Sequence, residues 1–323
     1  MKITVLYGGE SPEREISLLS GMTAAKALLT LGHKVNLTDT VKKPLPSFAE
    51  NESALQAMHC ALLADKCVCP PLHPQIPDFL RGCELVFPVL HGGIGEDGRL
   101  QAMLECFSVP FVGSSALACA LAMDKVRCKE IYEKNGILTP LYTVYKEGAR
   151  RPAIPPRYPC AVKPSNGGSS IGVTFVHSPL ALEKAIDKAR AVCPTVLMEE
   201  LIVGTELSVS VLCDRPLAVT EIIPKNRYYD FESKYKESGA REITPAPLDK
   251  EIYQKALDIA YNAHCALGMH NFSRTDILLS KSDGLLYALE TNAIPGLTPT
   301  SILPSAASSR GLSVSALIEK MLL

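Results

Sequence analysis

The chain has 323 residues, 47% hydrophobic and 21% charged, the balance of a water-soluble protein with a substantial core. Its formal net charge is −1, so no global field draws it to nucleic acid or to an anionic membrane. No apolar run reaches the ~18 residues of a membrane span, and no basic stripe carries interleaved aromatics, so neither membrane nor nucleic acid is expected as a partner.

The N-terminal "MKITVLYGG" reads as a strand ended by Gly8-Gly9, too soon broken to be a signal peptide. Eleven cysteines are scattered without a paired framework, which fits reduced thiols in the cytoplasm. Cys67 and Cys69 lack the spacing of a zinc knuckle. A helix is expected to begin at Ser11-Pro12-Glu13, with Ser11 as its cap and Pro12 at the first helical position. Its apolar stripe is Leu18, Leu19, Met22, Ala25 and Leu28, and it stops near Gly32. "KVNLT" is a second strand. A polar, Pro-rich stretch runs from Lys42 to Pro77 with a helix around Ala54 to Leu63, and "ELVFPVL" is a third strand ending in "HGGIGEDG". This alternation predicts a parallel sheet with helical crossovers, in which ligands gather at the carboxyl ends of the strands. Gly8-Gly9 and His91-Gly92-Gly93 fall there.

After Gly113 the character changes. "ALACALAMDKVRCKEIYEKNG" predicts one long helix capped by Gly136. "YPCAVKPSNGGSSIGVTFV", a helix from Leu180 to Ala191 and "TVLMEELIVGTELSVSVL" give strand, Gly/Ser loop, strand, helix and strand pair. A polar loop from Tyr228 leads to a helix from Lys250 to Leu267, a hairpin, and a last helix from Val314 to Met321.

The hairpin, "RTDILLSKSDGLLYALETNAIPG", places acids inside greasy strands. If it is symmetric about Asp283, Asp276 faces Glu290, and Asn292 shares the face of Glu290. Facing residues sit roughly 5 Å apart at Cβ, where two carboxylates repel unless a cation lies between them. Hard oxygen ligands of this kind suit Mg²⁺. In "KPSNGGSSIG", glycines let backbone N–H groups approach phosphate oxygens and Lys163 adds charge, but lysine precedes the loop, unlike a P-loop. "VLMEELIVGTE" offers a strand edge for an adenine and a carboxylate for ribose hydroxyls.

In order and spacing, "LYGGESPEREISLLSG", "LHGGIGEDGRLQ", "MDKVRCK", "KPSNGGSSIGV", "RTDILL" and "LETNAIPGLTPTSILP" resemble the D-alanine–D-alanine ligases of the ATP-grasp superfamily, over essentially the whole chain. The resemblance implies an α/β and α+β protein: an N-terminal parallel-sheet domain (1–113), then two α+β subdomains (114–199 and 200–323) that sandwich ATP. It implies that ATP phosphorylates a first D-alanine, that the amine of a second attacks the acylphosphate, and that the product feeds peptidoglycan synthesis. Glu13 and His91 would meet the first D-alanine. Lys125, Lys163, Ser169 and Ser170 would meet the phosphates, Glu199, Glu200, Leu201 and Ile202 the adenine, and Glu206 the ribose. Lys234 and Tyr235 would sit on a closing loop, with Lys234 reaching the γ-phosphate and Tyr235 bonding Ser169 and Glu13. Arg274 and the Gly296 N–H would stabilise developing charge. Asp276, Glu290 and Asn292 would hold two Mg²⁺ ions, for which Mn²⁺ can substitute, and Ser301 with the Ile302 N–H would receive the second carboxylate. The family is usually dimeric and cytoplasmic.

Three departures stand out: Gly167 where many relatives carry an acid, "NAIPG" with Ala293 and Ile294, and "HNFSRTD" before the hairpin. The alternatives are a ligase of the same fold using D-lactate or D-serine, a non-catalytic nucleotide-binding regulatory protein, and a dinucleotide oxidoreductase. The last lacks G-x-G-x-x-G after the first strand. The retained Arg274, Asp276, Glu290 and Asn292 argue against a dead relative.

Overall fold

The computed structural model describes residues 1–146, 148, 154–168, 171–224 and 240–323. The N-terminal sheet is parallel, as the alternation predicts. β1 (Lys2–Tyr7) lies between β2 (Lys34–Asp39) and β3 (Leu85–Pro88). All but the first residue of β1 is buried, which parallel strands covered on both faces require. The crossovers carry α1 (Arg14–Thr30), α2 (Glu52–Ala64) and α3 (Ile76–Leu80), and α4 (Arg99–Cys106) follows the glycine-rich segment after β3.

α1 starts later than its sequence suggests. Glu13 is its N-cap, without a side-chain capping bond. Ser11 is diverted: its Oγ accepts the Glu13 N–H and donates to the His91 carbonyl. The would-be cap therefore ties two loops together, and Pro12 lies in a turn. Leu18, Ala25 and Leu28 are buried, whereas Leu19 is 57% exposed and faces a cavity.

The long helix expected after Gly113 is two. α5 (Ala116–Met123) and α6 (Lys125–Lys134) break at Asp124, whose backbone is extended. Its carboxylate accepts the N–H groups of Val126 and Arg127 and the Ser165 hydroxyl. An aspartate that caps a helix and holds a neighbouring loop gains more than one left inside a continuous helix.

Two antiparallel sheets follow. The first has the order β4 (Tyr142–Lys146), β7 (Thr195–Glu200), β5 (Cys160–Pro164), β6 (Thr174–Val176), and is packed by α7 (Leu182–Arg190). The second runs β10 (Ala240–Ile243), β9 (Arg215–Pro224), β8 (Gly204–Leu212), β11 (Phe272–Ser280), β12 (Leu286–Asn292), with α8 (Lys250–Ala266) behind it. α9 (Ile302–Ser309), which the sequence reading did not foresee, and α10 (Val314–Met321) return to the first unit. Leu303, Ala306, Leu317 and Ile318 share one core with Ile3, Val5, Leu28 and Phe272. That shared core holds the carboxyl edge of the parallel sheet against the β11–β12 hairpin. Among the described residues no helix is long and apolar enough to cross a membrane.

Gly21 lets α1 pack closely on β1: a Cβ there would stand 2.6 Å from the Tyr7 Cβ. Helix propensity alone favours alanine over glycine by about 1 kcal/mol. The clash is with the root of a buried tyrosine, so overpacking should win and Gly21→Ala should destabilise by about 1–3 kcal/mol. Chemical denaturation of the variant against the wild type checks the sign.

Candidate active site

The hairpin is the centre of the site. Its turn closes with Gly284 at φ +71° and the Asp283 carboxylate accepting the Leu285 N–H, at 3.0 Å. From the turn outward the pairs are Leu279–Leu286, Leu278–Tyr287 and Ile277–Ala288. Continued, that register would set Asp276 against Leu289. A bulge between Asp276 and Ile277 shifts it by one, so Asp276 faces Glu290 and Arg274 faces Asn292. The expected opposition is present, and the bulge, not a symmetric turn, creates it. Leu289 and Glu290 both end up lining the cleft.

Arg274 grips Asp276 with two bonds, Nε to Oδ1 at 3.0 Å and Nη2 to Oδ2 at 2.8 Å, and Ser208 Oγ donates to Oδ1 at 2.6 Å. Glu290 lies 3.4 Å from the Lys125 ammonium. Lys125 is the first residue of α6 and donates to the Gly167 carbonyl at 2.6 Å, so the helix break at Asp124 aims it at the glycine-rich loop.

Two cavities meet at this hairpin, of about 790 and 430 Å³. Lys125, Gly167, Gly168, Asp276 and Glu290 line both and form a common wall. The larger also holds Glu13, His91, Arg274, Asn292, Gly296, Ser301 and Ile302. The smaller holds Lys163, Glu199, Glu200, Leu201, Ile202 and Glu206 among apolar Ala161, Val173, Phe175, Leu278 and Leu289. The residues named from the sequence are thus brought together wherever the structure describes them; Ser169, Ser170, Lys234 and Tyr235 lie outside the described residues.

In the larger cavity, glycines close around Glu13. A Cβ on Gly92 would come within 3.0 Å of its Oε2, and one on Gly168 within 2.9 Å. His91 is buried, and desolvation lowers its pKa, so the ring is held neutral; Ser20 Oγ lies 3.2 Å from its Nε2 and also accepts the Leu297 N–H. Ser301 is the N-cap of α9, so the Ile302 N–H opens that helix toward the cavity. Gly296 lies against it: a Cβ there would meet the Ser301 Oγ at 2.7 Å.

In the smaller cavity, Glu199 is buried between two lysines, Lys163 at 2.8 Å and Lys129 at 2.6 Å. Burial opposes its charge, but Lys129 and then Lys163 hold its pKa below the usual carboxylate range. Burial likewise opposes the charge of Lys163, yet Glu199 and Glu290 outweigh it and raise its pKa. Glu200 is occupied elsewhere, accepting the Leu141 N–H and pairing with Arg157 at 2.7 Å. Its side chain braces the strand, and only its backbone remains suited to the role expected of it.

Sequence reasoning overlooked four groups. Ser20 and Lys129 carried no signal beyond their places on helices. Glu242 lies on the edge strand near Arg274, where desolvation raises its pKa. Glu96 lies within the "HGGIGEDG" segment itself, fully enclosed, accepting the Gly92 N–H at 2.6 Å. Desolvation first, then the nearby Glu13 carboxylate, push it up to about 8. The atypical Ala293 and Ile294 fill a core, while the Ile294 backbone serves His91 and Glu96, so neither departure removes a polar group from the site.

Residues 2–114 match the family model described as D-ala D-ala ligase N-terminus, and residues 152–323 that of the D-ala D-ala ligase C-terminus. The D-alanine--D-alanine ligase of Trichlorobacter lovleyi is 38% identical over 323 residues, covering 99% of this chain and 93% of that protein. That of Halalkalibacterium halodurans is 37% identical over 328 residues, covering 99% and 97%. Among solved structures, the VanG D-Ala:D-Ser ligase of Enterococcus faecalis superposes with a TM-score of 0.82 at 30% identity, covering 99% of this chain and 98% of that one.

Glu96 gives a stability signature. Its ordinary pKa is near 4.5 and its folded value about 8. Between these values the folded chain keeps a proton that the unfolded chain has lost, so this group's contribution to stability falls as pH rises across the window. Glu96→Gln removes the effect. Its melting temperature relative to wild type should rise by ~2 °C or more from the bottom to the top of that window and level off above it, in paired thermal melts.

Proposed function

The chain belongs to the D-alanine–D-alanine ligase family, and on that premise we propose that it joins two D-alanines with ATP into D-alanyl-D-alanine for peptidoglycan precursors. The observation that carries this reading is the common wall. One cavity suits a nucleotide, the other small zwitterions, and the cations and carboxylates between them sit where a phosphoryl group must pass.

The apolar lining of the smaller cavity takes the adenine against the Glu199–Ile202 segment, Glu206 meets the ribose hydroxyls, and Lys163 and Lys125 meet the phosphates. In the larger cavity Glu13 pairs with the ammonium of the first D-alanine, and neutral His91 stands beside it without repelling that charge. A carboxylate oxygen of this D-alanine attacks the γ-phosphorus, the bond to ADP breaks, and an acylphosphate results. Arg274 offsets the charge that spreads over the oxygens in transit. The second D-alanine lays its carboxylate on Ser301 and the Ile302 N–H, at a helix N-terminus that favours anions. Its amine attacks the acyl carbon, the Gly296 N–H takes the oxyanion, and the carbon–oxygen bond to phosphate breaks, releasing phosphate and a proton. Ser169, Ser170, Lys234 and Tyr235 would complete the phosphate loop and the closing segment. Closure keeps water from the acylphosphate.

Two facing carboxylates with an amide on the same face form a hard oxygen donor set, which fits a divalent cation. Asp276, Glu290 and Asn292 would hold Mg²⁺, or Mn²⁺ in its place. Bound there, the ion supplies charge neutralisation for phosphate oxygens. Among the described residues, no group of three or more His, Cys, Asp or Glu that could hold a metal ion is present, so the donor set rests on two carboxylates and an amide. The same premise makes the enzyme a cytoplasmic homodimer.

Likeness to a D-Ala:D-Ser ligase keeps one rival in view. Steady-state rates with D-alanine, D-serine and D-lactate as second substrate decide it: D-alanine is expected to give the highest kcat/KM at neutral pH, and a preference for either of the others overturns the choice. Asp276→Ala and Glu290→Ala should fold and lose about 10²–10³ in ATP-dependent phosphate release with D-alanine. Near wild-type release by either would remove the common wall from the mechanism.

A further inference from the structure

Lys129 has no role in the chemistry above, yet among the described residues it is the most completely enclosed lysine near the site, at 0% exposure. Its ammonium lies 2.6 Å from Glu199 Oε2 and pairs with that oxygen. It also donates to Thr139 Oγ1, whose own proton goes to the Ala288 carbonyl at 2.8 Å on β12, and it sits 5.5 Å from the centre of the Tyr142 ring. The other Glu199 oxygen holds Lys163 at 2.8 Å. Lys163 and Glu199 line the nucleotide cavity; Lys129 does not.

A buried ammonium is expensive to desolvate, and a similarly shaped apolar side chain would fill the space without that cost. Glu199 already has one lysine, so a second needs a reason, and the charge of the trio supplies it. One carboxylate facing one lysine is neutral and offers a polyphosphate nothing. One carboxylate between two lysines leaves a full positive charge, and the only ammonium of the pair that reaches the cavity is that of Lys163. We propose that Lys129 is a positioning residue that neutralises Glu199 from behind, so that the charge of Lys163 is left for the nucleotide's phosphates. This rests on the nucleotide reading of the smaller cavity. Burial lowers the pKa of Lys129 and Glu199 opposes that, while at Lys163 burial is outweighed and Glu199 and Glu290 raise the pKa.

The test is binding of a non-hydrolysable ATP analogue with Mg²⁺, measured by calorimetry, together with KM for D-alanine, in Lys129→Met, Glu199→Gln and the double variant. Lys129→Met should weaken the analogue roughly tenfold or more while KM for D-alanine moves less than about threefold. In the Glu199→Gln background the same change should have little effect, because no carboxylate remains to consume the Lys163 charge. Equal losses for analogue and D-alanine, or a tenfold loss that persists in the double variant, would overturn the proposal. If Lys129→Met does not fold, the comparison of Glu199→Gln with the double variant still decides. If the wild type fails to bind the analogue, the nucleotide reading itself falls; if wild type and Lys129→Met bind it equally, only the role of Lys129 falls.

Discussion

Two carboxylates directly opposite one another on a strand pair repel, and a fold keeps such a pair only by delivering positive charge and hydrogen-bond donors to it. Asp276 and Glu290 are that pair, and the site is organised around answering them. Arg274 comes from the same strand as Asp276, two residues away on the same face, and Ser208 comes from the neighbouring strand. Lys125 arrives from the first turn of a helix that would run past the site had Asp124 not broken it. The shared core that binds the last two helices to the parallel sheet brings Glu13 and His91 to the far side of the same wall.

The bulge on β12 shows what could and could not be seen from residue order. The alternation of greasy and acidic residues and the turn signal at Ser282-Asp283-Gly284 were legible, and they placed the hairpin. Symmetry about Asp283 predicts the right opposition, but the turn is not symmetric: the pairs nearest it would put Leu289 opposite Asp276. A one-residue shift reverses every side chain beyond it. The extra residue leaves an apolar and an acidic side chain adjacent on the cleft side, one against the smaller cavity and one in the common wall, while Thr291 returns inward to Thr275 and Tyr132. A bulge leaves little trace in hydrophobic pattern, because two adjacent residues on one face look like ordinary imperfection.

What escaped entirely was whatever depends on a partner distant in sequence. Asp124 resembles one more polar residue on an amphipathic helix until Ser165 stands beside it. Lys129 looks like a solvated charge on the polar face of α6, and only β7 makes it an interior one. Ser11 has every local mark of a cap, but its hydroxyl donates to the His91 carbonyl and its oxygen accepts the N–H of Glu13, the residue that takes the cap position instead. The glycines behave likewise. Gly92 and Gly168 are far apart in the chain and both lie within van der Waals reach of the Glu13 carboxylate, so each is small on account of the other's neighbour. Local propensity is a weak prior wherever a tertiary contact satisfies a polar group better.

The pairing of charges around the wall bears on what can enter it. Arg274 is engaged with Asp276, Lys125 with Glu290, and Lys163 with Glu199. The two cations at the hairpin, Arg274 and Lys125, are thus already answered by carboxylates, so they do not by themselves form a standing well of positive potential of the kind that steers anions. A polyphosphate would have to pull those cations from their carboxylates, leaving acids exposed to its own charge. A divalent cation held by Asp276, Glu290 and Asn292 would resolve the conflict, because the carboxylates would keep a counter-charge while Arg274 and Lys125 were free to meet the substrate. Nucleotide and metal are therefore expected to bind with strong mutual dependence. Lys163 depends less on that coupling, since its nearest carboxylate, Glu199, has a second counter-charge built into the chain at Lys129.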